Sequence, residues 1–305
     1  MKNMSQSTDP QFPPHENTPL ITTAQPGSAY LLESITGEEI SSNLKPLDKI
    51  NGYDVRPGFY EVNGASALPG GVNFTLASHG ATSCELLLFH RKSSEPFTSI
   101  PFPEHYRIGN VFSMIVFGLK IDEFEYAYRL DGPYQPEKGL IYDKTKYILD
   151  PYAKAVTGQS EWGIHLPCTQ NCQYKSRVVR NNFDWGNSKQ PLIPMKDNII
   201  YELHVRGFTR HSSSGVHNPG TFAGLMEKIP YLKELGINAV ELMPIFEFDE
   251  MNGCREVNGR KLLDYWGYNP VCFFAPNTSY TAQIEYNQAG LELKKLIKAL
   301  HENGI

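Results

Sequence analysis

The sequence predicts a multidomain β plus α/β protein in which a β-sandwich precedes parallel strand–helix units. Its 305 residues suffice for two domains, or for one barrel of roughly 250 residues with a small extra module. Short apolar runs separated by turn residues occupy the first half, which is typical of a sandwich. From Asn198 onward strands alternate with helices, and this alternation predicts a parallel sheet.

The charge pattern and the hydropathy pattern exclude two classes of partner. The net charge is −5 and Lys and Arg are interspersed among the acids, so we expect no binding of nucleic acid or of an anionic membrane. Residues 1–20 lack the apolar core of a signal peptide, and no later stretch approaches a membrane-spanning helix. We therefore expect a cytoplasmic protein with a neutral partner.

The cysteines do not predict a metal centre or a disulfide framework. They are Cys84, Cys168, Cys172, Cys254 and Cys272. Their number is odd, their spacing is scattered, and the pair Cys168 and Cys172 lacks a matching second pair, so free thiols are expected. No cofactor is predicted, and the sequence does not support a bound calcium ion.

The first two parts of the chain differ in composition. Residues 1–57 are rich in Pro, Ser, Thr and Asn and are predicted to form a disordered or loosely packed leader. Residues 58–165 are predicted to form the β-sandwich, and its main apolar runs are Gly71–Ala77, Cys84–Phe89, Val111–Val116 and Glu123–Arg129. In the last run aromatic residues alternate with Glu123, Glu125 and Arg129, which predicts a sheet with one solvent-exposed face.

Residues 166–197 are predicted to be an irregular linker that packs against both neighbours, because the segment is interrupted by Pro191 and Pro194. Residues 198–305 then begin the α/β domain. Its predicted strands are Ile199–Arg206 and Asn238–Pro244. Thr221 can cap the first helix, Pro230 interrupts it and Gly236 ends it. The apolar face of the last helix comprises Leu293, Leu296, Ile297 and Leu300.

A third strand is expected to begin at Ile305, directly after the helix-ending Gly304. Two parallel strands and their helices would leave one edge of the sheet unpaired. We therefore expect this sequence to be the amino-terminal part of a longer protein whose α/β domain is incomplete here.

The best candidate for a ligand site is the loop Asp264–Pro270, which follows the second predicted strand. Ligands bind at the loops after the carboxyl ends of parallel strands. An aromatic ring stacks on the apolar C–H face of a sugar, while Asn and Asp can bond to its hydroxyls. Trp266 and Tyr268 are therefore candidates for sugar contact, against the alternative of a packed loop with a buried tryptophan.

Two other sets of polar residues are interpreted as structural. Glu202, His204 and Arg206 would share one face of the first predicted strand, where a polar interior network is favoured over an acid or base role for His204. Glu241 is interpreted in the same way. The acids after the second strand are expected to be solvated, and they are Glu247, Asp249 and Glu250.

Several segments, in order, resemble the bacterial glycogen debranching enzyme and isoamylase branch of the α-amylase superfamily. The segments are Gly70–Leu76, Tyr126–Tyr134, Leu149–Lys154, Tyr201–Thr209, Val240–Pro244 and Tyr265–Pro270. The resemblance covers the chain from about residue 58 to its end. It implies that the β module is an immunoglobulin-like sandwich similar to a glycogen-binding module, and that residues 198–305 hold the first two βα units of a truncated (β/α)8 TIM barrel.

The resemblance also implies a function. Enzymes of this branch cleave α-1,6 branch linkages in glycogen or limit dextrins with retention, through an Asp nucleophile and a Glu acid/base. These carboxylates belong to later strands, so the chain alone is expected to be inactive. The implied partner is glycogen or another branched α-glucan. The tyrosine that stacks on the sugar in this branch corresponds to Tyr268, and its motif neighbours are Trp266 and Asn269. Of these, Trp266 is expected to be the packing residue.

Other functions are also compatible with the sequence. Pullulanase, branching enzyme and maltooligosyl trehalose hydrolase share the predicted layout. Pullulanases tend to have Tyr-Asn-Trp-Gly-Tyr-Asp-Pro where this chain has Asp264–Pro270, which favours the debranching branch. A non-catalytic glucan-binding protein that uses the sandwich alone is the alternative from another class.

Overall fold

The computed structural model describes residues 44–158, 162–164, 174–283 and 286–305. Most of the predicted leader lies outside these residues, as do Cys168 and Cys172. The leader boundary at residue 57 differs from the structure, because strands β1 (Asp48–Ile50) and β2 (Tyr53–Pro57) already belong to the sandwich. Their backbone groups pair with the sheet although their sequence is polar. Cys84, Cys254 and Cys272 are free thiols, as predicted.

The first sheet of the sandwich contains β1 and β2 together with β3 (Gly64–Leu68), β4 (Gly71–Ala77), β7 (Arg107–Ile108) and β8 (Val111–Phe117). It is antiparallel, with the strand order β1-β2-β8-β4-β3 and β7 paired to β8. Every residue of β4 pairs with β8, from Gly71 opposite Phe117 to Ala77 opposite Val111. Both central strands match apolar runs that the sequence predicts as strands.

The second sheet is also antiparallel and has the order β12-β13-β9-β5-β6. Its strands are β5 (Ser83–His90), β6 (Pro96–Pro101), β9 (Phe124–Asp131), β12 (Ala155–Val156) and β13 (Ser176–Arg177). A short hairpin of β10 (Tyr134–Gln135) and β11 (Leu140–Ile141) follows β9. Because β13 lies in the predicted linker, the sandwich draws on residues beyond the predicted boundary at 165.

The two sheets enclose one apolar core. Phe74 from the first sheet contacts Tyr126 from the second, with ring centroids 5.2 Å apart and nearly perpendicular planes. This confirms the predicted sandwich. The predicted solvent-exposed face of β9 is wrong at Glu125, which is fully buried. Its carboxylate oxygens lie 3.1 Å from Lys175 Nζ and 3.3 Å from a guanidinium nitrogen of Arg177.

The α/β part begins with the parallel pair β14 (Ile200–Leu203) and β15 (Ala239–Leu242). Helices α1 (Val205–Arg210), α2 (Phe222–Met226), α3 (Ile229–Glu234) and α4 (Gln288–Glu302) accompany them. The prediction of one strand through Arg206 is wrong, because His204 ends the strand and caps α1 by accepting a hydrogen bond from the Gly207 amide. Glu202, His204 and Arg206 therefore do not share a strand face.

The predicted helix boundaries are confirmed. The Thr221 side chain accepts a hydrogen bond from the Gly224 amide at the start of α2, and Pro230 lies in the first turn of α3. Gly236 adopts a φ of +84° just after α3, where a side chain would be strained. In α4, Leu296 and Leu300 are buried beneath the parallel strands, as its apolar periodicity predicts.

The long segment between β15 and α4 has structure of its own, which the sequence interpretation missed. Strand β16 (Phe246–Phe248) pairs antiparallel with β19 (Pro270–Pro276), and a hairpin of β17 (Arg255–Val257) and β18 (Arg260–Leu262) lies between them. The described part of the predicted linker contacts both the sandwich and the α/β part. Ser176 pairs with Tyr126 of the sandwich, and the Asp184 carbonyl accepts a hydrogen bond from Lys298 of α4.

None of the helices among the described residues has the length and apolar character needed to cross a membrane.

Asp150 is expected to make stability depend on pH. Its carboxylate accepts hydrogen bonds from the Tyr126 hydroxyl (2.7 Å) and the Tyr152 amide (2.8 Å), yet burial raises its pKa from 3.8 to about 6. Because its pKa is raised, the protonated Asp150 carboxyl stabilises the folded state. This contribution is fully present below pH 3.8 and is lost as the pH rises through about 6. The loss corresponds to about 3 kcal/mol.

Asp150→Asn should remove this dependence. Urea unfolding between pH 4 and 7 measures it, and Asp122→Asn, on the exposed turn before β9, is the control. We expect the difference between the free energies of unfolding, Asp150→Asn minus the unmodified protein, to increase with pH, because only the unmodified protein loses this contribution. A constant difference between the two proteins across this range would contradict the assignment.

Candidate functional site

The platform loop, Asp264–Pro270, joins the β17–β18 hairpin to β19 and carries exposed aromatic residues. Trp266 is 63% exposed and Tyr268 is 65% exposed. Their ring centroids lie 6.5 Å apart and their planes are nearly perpendicular, at 88°. Asn269 beside them is exposed as well. The structure thus brings the three predicted site residues together on one loop, and Trp266, expected to be the packing residue, is as open to solvent as Tyr268.

Gly267 determines which way the two rings face. Its φ is +80°, and a Cβ atom at this position would lie 2.5 Å from the ring of the fully buried Phe248. The backbone of the platform loop therefore lies directly on the core, and only glycine fits there. The flanking side chains of Trp266 and Tyr268 are consequently directed away from that contact, where a ligand can reach them.

His204 anchors the residue just before the exposed rings. Its Nδ1 accepts a hydrogen bond from the Gly207 amide, so the ring proton is on Nε2, which donates to the Tyr265 carbonyl at 2.7 Å. The imidazole also stacks on the Tyr265 ring, with centroids 4.1 Å apart and planes 9° from parallel. Burial lowers the pKa of His204, so the ring is neutral near pH 7. This geometry supports a structural role.

The acidic residues after β15 do not lie in solvent, and that prediction is wrong. Glu247, Asp249 and Glu250 are all buried. Glu247 accepts a hydrogen bond from the Thr278 amide at 2.7 Å, and Glu250 accepts one from the Gly163 amide. Burial raises the pKa of the Glu250 carboxyl.

Glu202 and Glu241 do not form an interior network in the described residues either. They are opposite each other across the parallel pair, and both are exposed. The described residues also contain no cluster of His, Cys, Asp and Glu that could hold a metal ion. The platform loop, by contrast, presents exposed rings and an exposed amide that are accessible to a ligand.

Sequence reasoning missed Trp162, which lies at the centre of an aromatic cluster beneath the platform loop. The cluster consists of Trp162, His204, Phe248, Tyr265 and Tyr280. Trp162 stacks on Tyr280, with ring centroids 6.0 Å apart and planes 13° from parallel. No periodicity points to this residue, because the other members of the cluster lie between 42 (His204) and 118 (Tyr280) residues further along the chain.

The chain thus belongs to the class of proteins that combine an antiparallel β-sandwich with parallel strand–helix units. Residues 62–153 match carbohydrate-binding module 48 (isoamylase N-terminal domain). The chain is 36% identical to isoamylase 1, chloroplastic, of Arabidopsis thaliana, over 91% of this chain and 37% of that protein. It is 34% identical to the glycogen debranching enzyme of Yersinia enterocolitica, over 77% of this chain and 36% of that protein.

Two solved pullulanase structures are also similar to this chain over most of its length. Pullulanase type I from Bacillus subtilis, complexed with maltose, matches with a TM-score of 0.60 and 26% identity over 82% of this chain and 33% of that one. Group B Streptococcus pullulanase SAP, in complex with maltotetraose, matches with a TM-score of 0.63 and 26% identity over 81% of this chain and 33% of that one.

The chain is a homologue of the isoamylases and glycogen debranching enzymes, which confirms the resemblance read from its motifs. The match to carbohydrate-binding module 48 falls within the sandwich. The chain spans about a third of the length of the relatives it matches, 37% of the Arabidopsis protein and 36% of the Yersinia protein.

Proposed function

We propose that this chain is the glucan-contacting amino-terminal part of a hydrolase that cleaves α-1,6 branch linkages in glycogen or limit dextrins. The observation that carries the proposal is the platform loop, which presents Trp266 and Tyr268 to solvent in a homologue of debranching enzymes. Stacking on these rings would hold a glucose unit at the carboxyl end of β15, where parallel-strand folds carry out their chemistry. The proposal includes the cytoplasmic location expected from the sequence.

The chemistry proposed for the platform loop is binding and orientation. The Tyr268 ring offers an apolar face to the C–H side of a pyranose, and the exposed Asn269 amide can bond to its hydroxyls. Trp266, perpendicular to Tyr268, adds a second wall. The retaining step itself would use a nucleophilic and an acid/base carboxylate, as the family resemblance implies.

Titration with maltotetraose tests this binding role. The chain has three tryptophans, so a ¹H–¹⁵N spectrum should contain one indole N–H resonance each for Trp162, Trp185 and Trp266. We expect millimolar maltotetraose to shift the Trp266 resonance and to leave that of Trp185 unchanged, because Trp185 lies on the linker near Phe183. A Trp266 resonance that does not shift would contradict the binding role and favour a packing role for the platform loop.

A non-catalytic glucan-binding protein is the second candidate, and one feature of the sandwich favours it. Phe97 is 41% exposed, and its ring stacks on His90 with centroids 4.3 Å apart. This pair offers a second flat surface for a sugar, outside the platform loop. If Phe97→Ala abolished retardation of the chain in glycogen gels while Tyr268→Ala had no effect, binding would be assigned to the sandwich.

A further inference from the structure

We propose that Trp162 is a positioning residue of the platform loop, so that a residue between the sandwich strands β12 and β13 determines where the sugar-contacting rings lie. This inference rests on the proposed binding role of the platform loop and extends it to a residue outside that loop. Trp162 is partly buried, and its ring contacts four other rings of the aromatic cluster. Two separate sets of contacts lead from it to the loop.

The first set of contacts runs through hydrogen bonds to the start of the loop. The amide of Gly163, next to Trp162, donates to the Glu250 carboxylate. The Glu250 carbonyl in turn accepts a hydrogen bond from the Asp264 amide at 2.9 Å. The Asp264 carboxylate then accepts a bond from the Gly267 amide at 3.3 Å. Because Glu250 is fully buried, its bond to Gly163 is not shared with bulk water.

The second set of contacts runs through rings to Tyr265. The Trp162 ring lies edge-on to His204, with centroids 6.4 Å apart, and His204 holds the Tyr265 carbonyl and stacks on its ring. Trp162 also meets the Tyr265 ring directly, with centroids 6.4 Å apart. On the opposite side Tyr280 supports both Trp162 and His204.

Close packing leaves this arrangement little freedom to adjust. A Cβ atom at Gly207 would lie 1.9 Å from the Tyr265 hydroxyl, and one at Gly267 would meet the Phe248 ring. The guanidinium of Arg206 covers another part of Trp162, with Cζ 4.8 Å from the ring centroid. Removing the indole would leave a space that Tyr265 and His204 can enter, which would shift the exposed rings of Trp266 and Tyr268.

A double-mutant cycle between Trp162 and Tyr268 tests this role by maltotetraose affinity, followed at the Trp266 indole resonance. We expect Trp162→Leu to weaken binding about tenfold and to move the Trp266 resonance of the free protein. In a Tyr268→Ala background we expect Trp162→Leu to cause a smaller loss, since only the Trp266 ring remains to be positioned. Trp162→Phe retains an aromatic ring and should recover most of the affinity.

Trp185→Phe is the matched control, because this tryptophan lies outside the cluster. A cooperative thermal transition and an unchanged Trp185 resonance would establish that the Trp162 variants are folded. If Trp162→Leu does not fold, Trp162→Phe is measured in the same cycle with about a twofold loss expected. Equal losses with and without Tyr268, or no loss, would overturn the inference. If Tyr268→Ala itself left affinity unchanged, the proposed function would fail together with this inference.

Discussion

Tyr268→Ala is expected to lower the kcat/KM of an α-1,6-glucan hydrolase containing this sequence by about 10- to 100-fold. The Tyr268 ring is 65% exposed, and the adjacent backbone at Gly267 packs against the core. The ring is therefore positioned for stacking in the absence of a sugar. Losing the ring removes about 1.5 to 3 kcal/mol of stacking and positioning. Release of reducing ends from glycogen limit dextrin measures the effect.

The matched control is Tyr134→Ala, which removes a comparably exposed tyrosine (71%) from the hairpin beside the sandwich. We expect this control to retain the original kcat/KM. Tyr268→Phe should also stay within about threefold, since stacking needs the ring and not the hydroxyl. An unchanged kcat/KM in Tyr268→Ala would contradict the assignment of this ring to the substrate.

Glu125→Ala should be the most damaging single change to stability, at about 3 to 5 kcal/mol. Its fully buried carboxylate lies between Lys175 and Arg177, which come from a distant part of the chain. Without Glu125 two cations, each with less than a fifth of the side chain exposed, would remain without an opposite charge. The edge strand β12 and its neighbour β13 should then detach from the sandwich. Urea unfolding at pH 7 measures the loss of stability.

Glu85 supplies the comparison on the same sheet, where its carboxylate pairs with Arg129. Both side chains are about a third exposed, so Glu85→Ala should cost about 1 kcal/mol or less. If the two alanine variants lost equal stability, burial of the charge would not be what makes Glu125 important.

Local signals predicted those features that depend on neighbouring residues. Thr221 caps a helix because its hydroxyl reaches an amide three residues away, and Gly236 ends one because its backbone needs a positive φ. The periodicity of Leu296 and Leu300 likewise predicts the buried face of α4.

The predictions that failed concern polar residues whose partners are distant in sequence. Glu125 alternates with aromatics as a solvated residue would, but its cations lie some fifty residues further along the chain. Glu250 looks like a loop acid, but it bonds to Gly163, which is 87 residues earlier. His204 is the exception, because the bond by which it caps α1 is local, from the Gly207 amide, and only its bond to the Tyr265 carbonyl joins distant segments.

By itself the sequence determined the sandwich, the parallel strand–helix order and the identity of the platform loop residues, since periodicity, turn residues and motifs are local. Only the tertiary structure decided that Trp266 and Tyr268 are exposed, that Gly267 and His204 hold them there, and that Trp162 reaches the loop from the sandwich side. The physical reason is that exposure and hydrogen-bond partners depend on which distant segments meet when the core closes.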